Sequence, residues 1–279
     1  MPTPDFFQAS QPLFEAGAVQ VLEWSFDMGW EADLPDWVTH LLEFYSQRDR
    51  LLGHGVTYSL LSAQWEEAQD QWLKNLQEEC KRYRYRHISE HFGWMAAGNF
   101  VQSAPLPLPL TADTLRLGCD RLNCLAAAAK VPIGLENLAF AFGQRDVEEQ
   151  GTFLDQLLAH VQGFLVLDLH NLYCQIHNFQ QSPEALLKRY PLHRVRELHI
   201  SGGSWSKSAS SDSMIRRDTH DGPVPEMVFE LLAIALQHCS HVEAVIFERL
   251  GHTLSTETEQ QQWRQDFQRI QQIVHQRRR

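Results

Sequence analysis

Each thing this sequence lacks excludes a class of protein. No run approaches the ~20 consecutive apolar residues that a membrane helix needs, so no membrane span is expected. The first residues, Met1-Pro2-Thr3-Pro4-Asp5, have neither the basic nor the apolar region of a signal peptide, and the chain reads as cytoplasmic. Basic residues are few. Against 35 Asp and Glu stand 24 Lys and Arg, a formal charge of −11, so nucleic acid is not an expected partner. The one dense basic run, Arg277-Arg278-Arg279, reads as a solvated tail. The five cysteines, at 80, 119, 124, 174 and 239, make no CxxC pair, and an odd number cannot all pair within the chain; a reduced compartment fits.

What is present is enough for one large core. The chain has 279 residues, 43% of them hydrophobic, about the size of one α/β barrel. Short apolar runs alternate with longer amphipathic segments, the pattern of repeated βα units. Seven runs read as strands: Val19 to Ser25, Leu51 to Val56, Arg86 to Glu90, Ile133 to Asn137, Phe164 to Leu169, Val195 to Ile200 and Val242 to Glu248. Several are apolar on both faces, as parallel strands covered by helices should be.

The segments between them read as helices. One starts at Asp33-Leu34-Pro35 and runs to Gln47. In the next, Trp65, Trp72, Leu73 and Leu76 share one helical stripe, and a third opens at Thr111 with Leu115, Leu122 and Leu125 on one face. Others cover 147–162, 183–189, 224–238 and 256–276. These stripes read as core, not as a cofactor box.

The expected fold is therefore an α/β, TIM-type (β/α) barrel, a single domain over 1–279. Seven βα units are legible, and no eighth strand is legible in 1–16, whose Phe6-Phe7 and Leu13-Phe14 look helical or irregular. Two stretches break the alternation. Pro105-Leu106-Pro107-Leu108-Pro109 reads as an extended connection after the third strand. Gly202 to Arg217, rich in Gly and Ser, reads either as a lid or as a surface loop.

The 14 His residues matter for where they fall. The second strand carries His54, the third Glu90 and His91, the fourth Glu136 and Asn137, and the fifth Asp168, His170 and Asn171. His199 lies on the sixth and Glu248 on the seventh, while Asp218, His220 and Asp221 follow the sixth. In a (β/α) barrel the C-terminal strand ends converge on one mouth. Carboxylates crowded there repel one another unless protonated or neutralised by cations. Interleaved imidazoles point to transition metals rather than to Ca²⁺ or Mg²⁺, and a set without thiolate suits iron, manganese or zinc. Cys174 reads as a possible ligand or redox group or, better, as a buried structural thiol.

In their order, these motifs resemble the multinuclear non-haem iron-dependent oxidative enzymes, the family of the methanobactin-biosynthesis oxidase and other peptide-modifying oxidases. The resemblance runs from about Val19 to Glu248. It rests on His-Gly, Ser-Glu-His, Glu-Asn, Leu-Asp-Leu-His-Asn-Leu-Tyr, Glu-Leu-His-Ile, Asp-Thr-His-Asp-Gly-Pro-Val-Pro and Phe-Glu-Arg.

The resemblance implies a cluster of two or three iron ions. One would be bound by Glu136, Asp168, His199 and Glu248, and a second by His54, His91 and Glu136, with Glu136 bridging. A third would be bound by Asn171, Asp218 and His220. Glu90, Asn137, His170 and Asp221 adjoin these ligands and are candidates to orient them. The implied activity is oxygen-dependent modification of a residue, often Cys, in a ribosomally made precursor peptide. Since no second domain is read in the chain, a separate leader-peptide-binding partner protein is expected. Three features depart from the family pattern. The Gly-rich first strand with its Arg is missing, Ser201-Gly202-Gly203 stands where Ala-Gly-His is common, and Leu250 stands where Asp often follows Glu-Arg.

Two other readings share the ligand chemistry. One is a zinc- or manganese-dependent barrel enzyme, a sugar isomerase or phosphodiesterase. The acidic balance and the lack of a Lys in any strand-end motif tell against it. The other is a metal-holding, peptide-binding protein without catalysis.

Overall fold

The computed structural model describes residues 2–208 and 212–277. The chain opens with helix α1 (Pro4–Glu15), strand β1 (Leu22–Trp24), α2 (Asp36–Ser46), β2 (Leu51–Gly55), α3 (Glu67–Arg82) and β3 (Tyr85–His91). It continues through β4 (Trp94–Ala97), β5 (Phe100–Leu106), α4 (Ala112–Ala129), β6 (Ile133–Glu136), α5 (Gln144–His160) and β7 (Phe164–Asp168). Then come α6 (Leu169–Asn178), α7 (Pro183–Leu187), β8 (Val195–Ile200), β9 (Trp205–Lys207) and β10 (Met214–Arg216). The last elements are α8 (Glu226–His238), β11 (Ala244–Phe247) and α9 (Glu257–Arg277). Seven strands share one sheet in the order β1-β2-β3-β6-β7-β8-β11, matching the seven runs expected. Among the described residues no eighth joins them. No helix among these residues is long and apolar enough to cross a membrane.

The chain divides into two compact units, residues 20–166 and residues 1–19 with 167–279. In the first, β1, β2, β3 and β6 pair in parallel, with His54 beside Ser89 and His91 beside Glu136. Strand β2 is buried along its whole length. It takes Gly at 53 and 55 because a Cβ there would press on Tyr85 and Ile88, or on Trp72 and the Glu90 carboxylate. Asp27 ties the turn after β1 to the end of β2. Its Oδ2 accepts from the N–H of Val56 (2.9 Å) and Thr57 (2.6 Å), the Thr57 hydroxyl (2.7 Å) and the Trp72 indole (3.0 Å). Trp72, Leu76, Leu122 and Leu125 are core residues, as their stripes imply, whereas Leu73 and Leu115 are half-buried and Trp65 precedes α3. Thr111 caps α4 by accepting from the Thr114 N–H, and Lys130 ends the helix in the left-handed region.

The proline-rich connection is a strand for part of its length. Residues up to Leu106 belong to β5, paired antiparallel with β4, and the Trp94 indole donates to the Pro107 carbonyl at 3.1 Å. Proline is tolerated there because the other side of β5 is an edge.

In the second unit, β8 and β11 are parallel neighbours, with Glu197 beside Ala244 and Ile200 beside Phe247. Residues 4–15 form a helix, with Thr3 as its cap. Its Ala9 and Leu13 pack with Leu254 and Trp263, and Phe6 and Phe247 close the cluster. Two sequence readings need correction here. The fifth strand ends at Asp168, and Leu169 onward is helical, so His170 and Asn171 sit in the first turn of α6 and not on a strand end. The Asp168 carboxylate causes the switch by accepting from the Asn171 N–H as the helix cap. The Gly202 to Arg217 stretch is not wholly irregular, because β9 and β10 pair as an antiparallel hairpin. Residues 209–211 of that stretch lie outside the described residues. So do Arg278 and Arg279, whereas Arg277, exposed at the end of α9, donates to the Cys239 carbonyl at 2.6 Å.

Candidate functional site

In the unit formed by residues 20–166, three side chains from different strands meet. His54 Nε2 lies 3.2 Å from Glu136 Oε2 and 3.3 Å from His91 Nε2, and His91 Nε2 lies 3.5 Å from the same carboxylate oxygen. One ligand atom from each falls within 4.8 Å of the others, a spacing that can hold a metal ion. The tautomer of His54 suits this. The Ser89 hydroxyl donates to the Gly53 carbonyl (3.3 Å), so His54 Nδ1–H donates to Ser89 Oγ (2.8 Å) and Nε2 keeps its lone pair for the group. Glu90 orients its neighbour. Its Oε1 accepts from the His91 N–H (3.0 Å) and lies 3.5 Å from His91 Nδ1. Burial pushes the Glu90 carboxyl above the usual carboxylate range, despite the hydrogen bond and charge of His91. Asn137 is buried just beyond β6.

The second unit holds the other candidates. Asp168, His170 and His199 are fully buried and Asn171 nearly so. Asp168 and His199 each offer a ligand atom within 4.8 Å of the other. His199 lies between two carboxylates, with Nδ1 3.3 Å from Glu248 Oε2 and Nε2 3.3 Å from Glu197 Oε1. His220 Nε2 is 2.9 Å from Asp218 Oδ1 and 4.0 Å from Glu248 Oε2. Burial opposes charge on both members of the Asp218–His220 pair. The charge and hydrogen bond of His220, with the hydrogen bond of His170, nevertheless hold the Asp218 carboxyl well below the usual range. The Asp218 and Glu248 carboxylates push the His220 imidazole well above its own. His220 also takes a left-handed backbone (φ 51°), a strained conformation of the kind found at functional sites. Asp221 braces this loop, accepting from Thr219 Oγ1 at 2.7 Å, while Ser204 N–H donates to the same Thr219 hydroxyl oxygen at 2.8 Å. Cys174 is buried, and that burial pushes its thiol well above the usual range.

The glycine pair after β8 has a steric cause. A Cβ on Gly202 would collide with the backbone of Gly222 and Pro223, and one on Gly203 with the Arg217 carbonyl, His170 and the Thr219 nitrogen. Backbone on two sides leaves little room to yield. Gly203→Ala is expected to destabilise the protein by about 1–3 kcal/mol, read as a fall in the midpoint of thermal unfolding. An unchanged midpoint would show that this corner rearranges freely.

Sequence reasoning missed Glu23, Ser89, Glu197 and Arg216. Glu23 lies on β1 and brings its carboxylate within 4.8 Å of a His54 ring nitrogen. A signal existed for two of these residues. Glu23 is the only charge in its apolar strand run, and Glu197 precedes His199 by two positions, which puts both on one face of β8.

Comparison with known proteins adds the family. The model described as "RiPP precursor modification enzyme MbnB/TglH/ChrH" matches residues 31–274. A UPF0276 protein of Caulobacter vibrioides is 26% identical over 242 residues, covering 86% of this chain and 81% of that one. A UPF0276 protein of Bordetella pertussis is 31% identical over 174 residues, covering 62% and 59%. Among solved structures, D-psicose 3-epimerase from Clostridium cellulolyticum H10 matches with a TM-score of 0.60 at 12% identity, over 99% of this chain and 93% of that one. A xylose isomerase-like TIM barrel protein from Mycobacterium smegmatis matches with a TM-score of 0.54 at 12% identity, over 98% and 90%. Identity this low speaks for the fold alone, and the fold is a TIM-type barrel.

Proposed function

Because the chain belongs to the MbnB/TglH/ChrH family of RiPP precursor modification enzymes, we propose that it is an iron-dependent oxidase that uses oxygen to modify a residue, often Cys, of a ribosomally made precursor peptide. The observation that carries this reading is the meeting of His54, His91 and Glu136 at metal-holding distances, without a thiolate. In this reading those three hold one ion; Asp168, His199 and Glu248 serve a second; Asn171, Asp218 and His220 serve a third. The donors are imidazoles, carboxylates and one amide, a set that fits iron and also admits zinc or manganese. When bound, iron supplies the one-electron chemistry that oxygen use requires.

The chain's own residues hold the ligands still. Ser89 fixes the His54 tautomer, Glu90 braces His91, and Glu197 accepts from His199 on the side away from Glu248. A precursor peptide is the substrate, and a separate protein grips its leader. The expected setting is the cytoplasm, where the five cysteines, none in a disulfide, stay reduced.

Anaerobic purification followed by metal analysis and oxygen uptake with a Cys-containing peptide tests this. Iron with peptide-dependent oxygen consumption is expected. Zinc or manganese without oxygen use would favour isomerase or phosphodiesterase chemistry, and metal without turnover would overturn the enzyme reading. Asp218→Ala is expected to cost one ion before the others. Proportional loss of all metal in that variant would count against separate sites.

A further inference from the structure

His170 is not among the proposed ligands, yet it is fully buried and both ring nitrogens are engaged. Arg216 Nε donates to His170 Nε2 at 3.1 Å, and His170 Nδ1 lies 3.0 Å from Asp218 Oδ1. A guanidinium N–H can only donate, so Nε2 must be the lone-pair nitrogen. A proton on Nε2 would set two N–H groups against each other. The ring therefore carries its one proton on Nδ1, aimed at Asp218, with Cys174 Sγ farther off at 4.0 Å.

Arg216 is itself held in place. It is 5% exposed. The Asn178 side chain accepts from its N–H (2.8 Å) and donates to its carbonyl (2.9 Å). Its guanidinium carbon lies 5.3 Å from the Trp205 ring and 5.5 Å from that of Tyr173, within cation–π range. The β9–β10 hairpin, with Trp205 paired to Arg216, thus delivers a fixed donor to His170.

We propose that Arg216 is a positioning residue for metal binding at Asp218, acting through His170: it selects the Nδ1–H tautomer, and that N–H anchors one carboxylate oxygen so that the group meets the ion in a set orientation. The inference rests on the reading of Asp218 as a ligand. Without Arg216 the other tautomer becomes accessible, and it would turn a nitrogen lone pair on the Asp218 carboxylate. Loss of such an outer partner costs about 10–100-fold in metal affinity.

The test titrates ferrous iron into the full-length protein without oxygen, against a chelator, with Asp218→Ala marking the ion in question. Arg216→Met is expected to weaken that ion 10–100-fold and leave the others unchanged. His170→Asn, whose amide nitrogen stands near the Nδ1 position, is expected to keep it within a few-fold. His170→Gln, whose amide falls near the Nε2 position, is expected to lose it like Arg216→Met. A packing role predicts the reverse ranking, since Gln is closer to His in size. Arg216→Met added to His170→Asn is expected to cost nothing more, the signature of one residue acting through the other.

Equal affinities for the Asn and Gln variants, or an undiminished Arg216→Met, would overturn the proposal while Asp218→Ala still loses its ion. If Asp218→Ala loses none, the ligand reading falls and this inference with it. Should Arg216→Met fail to fold, the Asn and Gln pair decides alone.

Discussion

Glu136→Ala is expected to strip bound iron and cut oxidase activity by about 10³-fold or more, while the chain stays folded. The reason is local. Glu136 is the one anion in a group whose other members, His54 and His91, are imidazoles 3.2 and 3.5 Å from its Oε2. Without it, two neutral nitrogens remain, too few to complete a site for a hard or borderline divalent ion. A thousandfold loss corresponds to about 4 kcal/mol of transition-state stabilisation. The fold should survive because Glu136 is the last residue of β6, and the backbone pairing of β3 with β6 does not depend on its side chain. Metal analysis beside circular dichroism and peptide-dependent oxygen uptake checks the point. Full iron content in the variant would remove Glu136 from the site. His199→Ala is expected to lose iron in the same way, since its ring stands between Glu197 and Glu248.

The largest expected effect on stability lies at Asp27. One carboxylate oxygen takes donors from Val56, Thr57 twice and Trp72, and Asp27 is buried. Asp27→Ala would leave those donors without their acceptor, at about 1–3 kcal/mol for each that water cannot reach. A loss of about 4 kcal/mol is expected, or a fall of about 8–16 °C in the unfolding midpoint for a chain of this size. Asp27→Asn keeps one acceptor oxygen in nearly the same shape and should lose about half as much. Since Val56 and Thr57 lie two and three residues past His54, Asp27→Ala should also loosen the metal proposed at His54. Equal midpoints for the wild type and the Ala variant would show that the anchor carries no net stability.

The alternation of strands and helices was legible because hydrophobic periodicity is a local property. All seven sheet strands fall within a few residues of their expected positions, and the cap at Thr111 was readable from its residue type alone. Helix α6 was hidden. The apolar run that makes β7 continues into Leu169, Leu172 and Ile176 without a Gly or Pro to mark the change. The mark that does exist is Asp168, a residue type that caps helices as readily as it binds metal. The β9–β10 hairpin was hidden for another reason: three-residue strands in a Ser-rich stretch show no period, and the Asn178 bonds that brace Arg216 come from another element.

The sequence by itself determined the parallel α/β frame and which acidic and imidazole residues stand at or just beyond strand ends. Both follow from the order of residue types along the chain. Only the tertiary structure decided the roles of Glu197, Ser89 and Arg216, and with them the tautomers of His54 and His170. The direction of a hydrogen bond depends on which donor faces which lone pair, and here the facing atoms belong to residues as far as 46 positions apart.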